Sequence, residues 1–271
     1  MLLNHYGQGF LLVGAGVLLA LGLVALVRRC FSSAVLMQAH NATGNMLSMV
    51  GTLYAVLLGL VVVDAMVRFE RAVDVVQAES TRLADVFLLA ERFPEPQQER
   101  IKDLCRAYAV EVVEREWPLM AEGRSSLEAR RIALLLARSI DDFAPRSETE
   151  KIVFPMMLEL LREVWDHRRE RITTAQHGIP TIQWVVLLIG SIVTILFAGL
   201  FSIDSNRLHI LLTALGALVL GLNIYLAMLF GYPYSGALSV SNQPFKTDIG
   251  IFDGLFTPTP AQAGEAPTVG L

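Results

Sequence analysis

The chain has 271 residues, of which 54% are hydrophobic and 18% charged, and its formal net charge is −4. Of its 22 Lys and Arg, 18 lie between Ala65 and Gly178, together with 21 of the 26 acidic residues. A chain this apolar is not an ordinary soluble protein, and the segregation predicts membrane segments on both sides of a polar domain. The absence of a basic patch excludes a nucleic-acid-binding protein, and two cysteines exclude a disulfide framework.

The first predicted span covers residues 9–27 and ends at the pair Arg28 and Arg29. Small residues in membrane helices allow close approach of neighbouring backbones. Close packing is therefore expected at the glycines of this span, Gly14, Gly16 and Gly22.

A single long helix is predicted from Asn45 to Phe93. Residues 46–63 carry no charge and make about 27 Å of helix, close to the thickness of one bilayer core. From Asp64 onward, charged residues alternate with apolar ones at three- and four-residue steps until Pro94. A helix that runs unbroken from a span into a polar domain favours a pore or a transducer over a simple anchor.

Three further helices are predicted in the charged region. The first covers residues 97–120, and two capping boxes, Ser125–Glu128 and Ser147–Glu150, begin the other two. The clustered acids of the first helix are interpreted as a solvated face. These acids are Glu111, Glu114 and Glu116.

Two more spans, residues 182–201 and 210–230, are joined by a short turn and are therefore antiparallel neighbours. No convincing strand pattern occurs. The sequence predicts an all-α membrane protein with four transmembrane helices and a helical cytoplasmic domain inserted between spans 2 and 3. The predicted parts are spans 1 and 2 (9–63), the cytoplasmic domain continuous with span 2 (64–178), spans 3 and 4 (180–231), a cytoplasmic tail segment (232–256) and a disordered tail (257–271).

Orientation follows from the Lys and Arg near the span ends. Six of them border the middle domain and three lie on the other side, which by the positive-inside rule predicts a cytoplasmic middle domain and cytoplasmic termini. The adjacent pair Arg28 and Arg29 argues for the opposite orientation.

No enzyme motif is present. The five histidines are scattered, and neither a phosphate-binding loop nor a nucleophile elbow occurs. We therefore expect no catalytic site, no cofactor and no metal site.

Polar and small positions in the second span are more informative, because polar groups in lipid are costly. They form either a face for helix packing or the wall of a pore. These positions are Ser48, Gly51, Thr52, Ala55 and Gly59. Asp64, at the end of the span, has three interpretations: it reaches the membrane interface, pairs with Arg68 one turn on, or joins a ring of carboxylates in an oligomer.

The second span carries a family resemblance. Leu57-Leu-Gly-Leu60, followed by Arg68-Phe-Glu-Arg-Ala72, resembles the pore helix of bestrophins, in which a Leu-Gly-Phe-like element precedes Arg-Trp-Trp-x-Ala. The segment Asn242–Asp248 resembles the Pro-Phe-Gly-x-Asp segment after the fourth bestrophin helix, and Asp253-Gly-Leu255 the Asp-Leu that follows it. The layout is similar to that of the bacterial bestrophin-like family. Residues 207–214 resemble the last span of that family, and residues 232–236 resemble the end of that span.

The resemblance implies a homo-pentameric channel for small ions, chloride among them, in the inner membrane of a bacterium, with both termini cytoplasmic. It also implies a pore lined by the second helix and closed by an apolar neck at Thr52, Val56 and Leu60, with Asp64 at the pore mouth. This chain departs from the family pattern in two ways: Thr52 replaces a large apolar residue, and Val61-Val-Val-Asp64 stands where bestrophins have polar or basic residues. The acidic calcium clasp of animal bestrophins has no clear counterpart.

The sequence therefore predicts a bestrophin-like oligomeric membrane protein that conducts ions, with the lipid bilayer, its own copies and small ions as partners. The alternative is a non-conducting membrane scaffold or signalling protein whose helical domain recruits a cytoplasmic partner.

Overall fold

The structure is a computed structural model that describes residues 2–201, 203 and 205–254. The described residues form helices joined by short loops, and no strand occurs among them. The helices are α1 (Leu2–Cys30), α2 (Ser33–Gln38), α3 (His40–Leu89), α4 (Gln97–Glu111), α5 (Trp117–Ala121), α6 (Leu127–Asp141), α7 (Glu148–Gln176), α8 (Thr181–Leu200), α9 (Asn206–Gly231) and α10 (Gln243–Phe252). A 3₁₀ turn, Ala90–Arg92, follows α3, and a π-helical turn, Val112–Glu116, joins α4 to α5.

Four segments of the described chain are long and apolar enough to cross a membrane: Gly7–Cys30, His40–Arg92, Glu148–Leu200 and Asn206–Gly231. The predicted all-α membrane fold with four spans is therefore confirmed. The chain divides into two compact units. The span unit consists of Met1–Arg71 and His177–Ser239, and the polar unit of Ala72–Gln176 and Val240–Leu271.

Glycines allow close helix packing in the span unit, but not the glycines expected from the sequence. A Cβ atom at Gly199 of α8 would lie 3.2 Å from Val24, and one at Gly221 of α9 would lie 3.1 Å from Val13, so α1 approaches both helices at these points. Gly14, Gly16 and Gly22 make no such contact within the chain, because a Cβ atom at any of them would meet no described atom within 4 Å.

In the span unit, α3 packs one side of its apolar stretch into a core. Tyr54, Leu58, Val61, Val62 and Ala65 are buried there against residues of α8 and α9. The Tyr54 hydroxyl donates a hydrogen bond of 2.8 Å to the Leu187 carbonyl, which satisfies its polar group inside the core.

In the polar unit, the second predicted capping box is confirmed: Ser147 Oγ accepts from the Glu150 amide, and Glu150 Oε2 accepts from the Ser147 amide, both at 3.1 Å. The first box is misplaced by one residue. Ser126, not Ser125, caps α6, since its hydroxyl accepts from the Ala129 amide at 3.1 Å. Ser126 has the extended backbone conformation that an N-cap requires.

Helix α10 lies within the predicted cytoplasmic tail segment, for which the sequence analysis predicted no helix. It begins with Pro244 in its first turn, where proline needs no amide partner. Its buried Phe245 contacts the ring of Trp117 with centroids 6.3 Å apart, and Phe252 stacks on Phe87 at 4.3 Å. The predicted disordered tail, 257–271, lies outside the described residues.

Candidate functional site

The face of α3 opposite its packed side is exposed: no other part of the chain that the structure describes covers it. A helix turns by about 100° per residue, so Val56 lies about 180° around the helix from the buried Ala65. Val56 is 60% exposed and Leu60 64% exposed, and Thr52 is exposed as well. The three residues predicted as a pore neck therefore form one row along the middle of this face, which we call the open face.

Close packing within the span unit does not require the glycines of the same stretch. A Cβ atom at Gly51 or Gly59 would meet no described atom within 4 Å. Ser48 and Ala55 are exposed, and the Thr52 hydroxyl donates to the Ser48 carbonyl of its own helix at 2.8 Å. Packing against another helix of the same chain thus does not account for these small residues.

Asp64 lies at the edge of the open face. Its carboxylate accepts a hydrogen bond of 2.9 Å from Arg68 Nε, and the two side chains are 45% and 40% exposed. This is the intrahelical pair that the i, i+4 spacing allows. The positive charge of Arg68 offsets the carboxylate at this position.

Glu70 is an acidic residue nearer the middle of the open face. It follows Val63 and Val67, which are exposed in the same row, and it is itself exposed. Among the described residues Glu70 makes no ion pair. Glu70 was not predicted as a site residue, although its position fourteen residues after Val56 places it within about 40° of the same line.

In the polar unit, a buried ion network joins four elements. Arg171 of α7 donates to both carboxylate oxygens of Glu79 of α3, at 2.6 and 2.9 Å, and to Glu116 of the π-helical turn at 2.9 Å. Arg168 donates to Glu116 at 2.5 Å, and the Tyr108 hydroxyl donates to Glu79 at 2.5 Å.

The network is closed to water and electrically balanced, with two carboxylates against two guanidinium groups. Glu79, Glu116 and Arg171 are fully buried, so each charge depends on its partners for the solvation it has lost. Burial, reinforced by the charge of Glu79, raises the pKa of Tyr108 well above its usual range, and Tyr108 therefore remains a donor at any ordinary pH.

The interpretation of Glu116 as part of a solvated face is wrong. It follows Val112 by four residues, and Val112 follows Tyr108 by four, so all three lie on the buried side of the helix. The four-residue spacing from Tyr108 and Val112 indicated that Glu116 is buried, but Glu111 and Glu114 beside it suggested an exposed acidic face. Glu79 carried a similar signal, because it stands between Val76 and Leu83 in an apolar row.

Helix α10 carries a third buried acid of the polar unit, Asp248. Asp248 is 6% exposed and accepts a hydrogen bond of 2.5 Å from the Ser80 hydroxyl of α3. Burial raises the pKa of Asp248 to about 6, although the bond from Ser80 acts in the opposite direction. Asp253, at the end of α10, is paired with Arg106 at 2.5 Å, and this bond lowers the pKa of Asp253.

Comparison with known proteins agrees with this architecture. The sequence model of the Bestrophin-like domain matches residues 14–245. A crystal structure of a bacterial bestrophin homologue from Klebsiella pneumoniae is similar over 90% of this chain and 98% of that one, with a TM-score of 0.66 and 15% sequence identity. A variant of that homologue covers 89% of this chain and 99% of its own, with a TM-score of 0.65 and 15% identity. No curated protein matches the chain.

The chain belongs to the bestrophin-like family, because the family domain matches most of its length. The predicted resemblance is therefore confirmed, and the solved homologues share its fold.

Proposed function

We propose that this protein is an oligomeric ion channel whose pore is lined by α3. The observation that carries the proposal is the open face of α3, where Thr52, Val56 and Leu60 form an exposed row. The opposite side of the same helix is packed into the core of the span unit. Because this row is exposed at membrane depth, it contacts lipid, another copy of the chain or water, and the family resemblance favours a water-filled pore.

One copy of α3 cannot enclose a pore, so the open face must meet other copies around an axis. Homo-oligomers commonly close by rotational symmetry, and the bestrophin resemblance implies five copies. In such a ring the packed side of α3 faces outward onto α8 and α9. The row of Val56 and Leu60 then faces the axis.

An apolar ring at Val56 and Leu60 would gate by excluding water from the narrowest part of the pore. Thr52 contributes a methyl group and a hydroxyl, and that hydroxyl is already bonded to the Ser48 carbonyl. The ring at Thr52 is therefore less polar than its sequence suggests.

Charge at the inner mouth would be set by two acidic positions. Asp64 is offset by Arg68, whereas Glu70 has no ion-pair partner among the described residues and lies nearer the middle line of the open face. A ring of Glu70 carboxylates would attract cations and repel chloride. We therefore assign the larger effect on charge selectivity to Glu70.

Thiol modification tests the pore directly. In a Cys30→Ser background, which removes the exposed native thiol, Val56→Cys channels in planar bilayers should lose current when a water-soluble, charged methanethiosulfonate is added. The control is Leu211→Cys, which lies on α9 at a site that is 54% exposed and should face lipid. Equal insensitivity of both variants in a conducting protein would contradict a pore lined by α3.

A different class of function is a non-conducting membrane protein that recruits a partner through its helical polar unit. Water accessibility of the open face distinguishes the two proposals, because a channel requires a water-accessible row within a span and a scaffold does not. Complete lack of modification at Val56→Cys, together with a silent bilayer, would favour the scaffold.

A further inference from the structure

A groove of about 240 Å³ lies on the polar unit, between α4, α6 and α7. Its wall is mostly apolar and includes Leu134 of α6 and Leu158, Leu161 and Trp165 of α7. Leu134 is 41% exposed, so this part of the wall is accessible from outside the chain. An apolar surface that stays open to water is stabilised when another surface covers it.

The face of α6 beside this groove is basic. Arg130 and Arg138 lie one turn before and one turn after Leu134, and both are exposed. Neither arginine makes an ion pair with a residue that the structure describes. Asp141 also lines the groove, and the two arginines still leave this face with a net positive charge. The groove therefore fits an apolar surface that carries negative charge.

The first half of α7 presents a surface of that kind. Ile152 and Met156 are 67% and 55% exposed, and as residues four positions apart they form an apolar pair on one face. Glu148 lies one turn before Ile152, and its side chain is 87% exposed. Its salt bridge of 2.8 Å with Lys151 is exposed as well, so this bridge contributes little energy and does not prevent a second contact.

The apolar pair cannot reach the groove of its own chain. Met156 and Trp165 are nine residues apart, which places them about 180° from each other around α7. Trp165 lines the groove, so Met156 points to the other side of the helix. Two different surfaces that fit each other on one molecule make a heterologous contact, which joins copies head to tail and closes a ring when the rotation allows it.

We propose that Ile152 and Met156 of one copy enter the groove beside Leu134 of the next copy, with Glu148 facing the two arginines of α6. The inference rests on the proposed oligomeric channel, because the open face of α3 requires a ring of copies. It adds the surface by which the polar units of neighbouring copies join, and it makes that contact heterologous.

Disulfide trapping of the full-length protein tests this contact. In the Cys30→Ser background the remaining native thiol, Cys105, is buried. Leu134→Cys combined with Ile152→Cys, oxidised with copper phenanthroline in mild detergent, should give a ladder of covalent multimers that ends at the size of the native oligomer. Each single variant should give no ladder, because a heterologous contact does not bring identical positions together.

The matched control combines Ile152→Cys with Glu128→Cys. Glu128 is also exposed on α6 but lies about 120° around the helix from Leu134, so this pair should give no ladder. A ladder of equal yield from the control pair would overturn the proposal, and so would dimers from either single variant, which would show a contact between identical surfaces.

Native mass spectrometry of the same samples separates this inference from the proposed function. A closed oligomer whose Leu134→Cys and Ile152→Cys pair stays uncrosslinked would overturn the groove contact and leave the channel proposal intact, with the groove then assigned to another partner. A monomer in lipid would contradict both.

Discussion

Arg171 and Glu79 form a bidentate ion pair at 2.6 and 2.9 Å with both side chains fully buried. The two residues come from helices α7 and α3, 92 positions apart in the sequence. The rings of Trp117 and Phe245 lie 5.7 Å from the guanidinium carbon, so cation–π contacts add to the pair. The pair therefore holds together α3, α7 and α10 within the polar unit.

Removing one charge from this network should destabilise the polar unit strongly. Glu79→Gln preserves the size of the side chain but leaves Arg171 buried without its main counter-charge, at an expected cost of about 3–5 kcal/mol in the free energy of unfolding. Urea unfolding followed by tryptophan fluorescence measures this. Glu159→Gln, which breaks the exposed pair with Arg162, serves as the control and should change stability little. Equal effects of the two substitutions would contradict the role of the network.

Asp248 predicts a pH dependence of stability. The pKa of Asp248 in the folded protein, about 6, lies above its ordinary value of 3.8. Between these pH values the folded state binds more protons than the unfolded state, so stability falls as the pH rises. Above pH 6 the wild type contains an ionised, buried carboxylate. Asp248→Asn should therefore stabilise the protein at pH 8 and have little effect at pH 4.

Thermal unfolding of the full-length wild type and Asp248→Asn at both pH values measures this difference. A gain that is the same at pH 4 and pH 8 would show that the titration of Asp248 does not contribute to stability.

Gly190 should be essential for the α3–α8 contact. A Cβ atom at this position would lie 2.4 Å from the ring of Tyr54, so Gly190→Ala should displace that ring and weaken its bond to Leu187. Gly216→Ala is the control, since a Cβ atom there meets no described atom within 4 Å. The melting temperature in detergent should fall for Gly190→Ala only. An unchanged melting temperature of Gly190→Ala would contradict close packing of the Tyr54 ring against Gly190.

Periodicity and composition were sufficient to predict the fold class, because each span and each amphipathic helix leaves a local pattern. Contacts between distant helices leave no such pattern. The packing of α1 depends on Gly199 of α8, Gly221 of α9 and its own Gly9, and not on Gly14, Gly16 or Gly22. Which glycines are needed is decided by which helices meet. The pairing of Glu79 with Arg171 likewise depends on tertiary structure, although the apolar row around Glu79 marked it as buried.

The open face could be predicted in part. The family resemblance and the helical period predicted the row of Thr52, Val56 and Leu60. The sequence left open whether Asp64 pairs with Arg68 or remains a free carboxylate, and the coordinates show the pair. Helix α10 was missed because it is only ten residues long, and its apolar residues gain stability only by packing on Trp117 and Phe87.

Charge selectivity distinguishes Glu70 from Asp64. Glu70→Gln should shift the reversal potential in a salt gradient toward that of chloride, because it removes a ring of carboxylates that have no ion-pair partner among the described residues. Asp64→Asn should shift it less, because Arg68 already offsets this charge. Bilayer recordings of both variants under the same gradient measure the difference, and a larger shift from Asp64→Asn would assign the mouth to Asp64 instead.

Oligomeric state follows from the uncovered face of α3. Native mass spectrometry from mild detergent should give one closed oligomer, five copies by the family resemblance, because the open face requires partners around an axis. A protein that remains monomeric in lipid would remove the basis for a pore.

Single-channel recording of the purified protein and of Val56→Ala in planar bilayers tests the central claim most directly. Val56 lies in the middle of the open face, so shortening it should widen and wet the neck. The account predicts that the wild type conducts, and that Val56→Ala raises the unitary conductance while leaving the reversal potential unchanged. Silence of both proteins over a range of voltage and pH, or identical conductance of the two, would contradict a pore lined by α3.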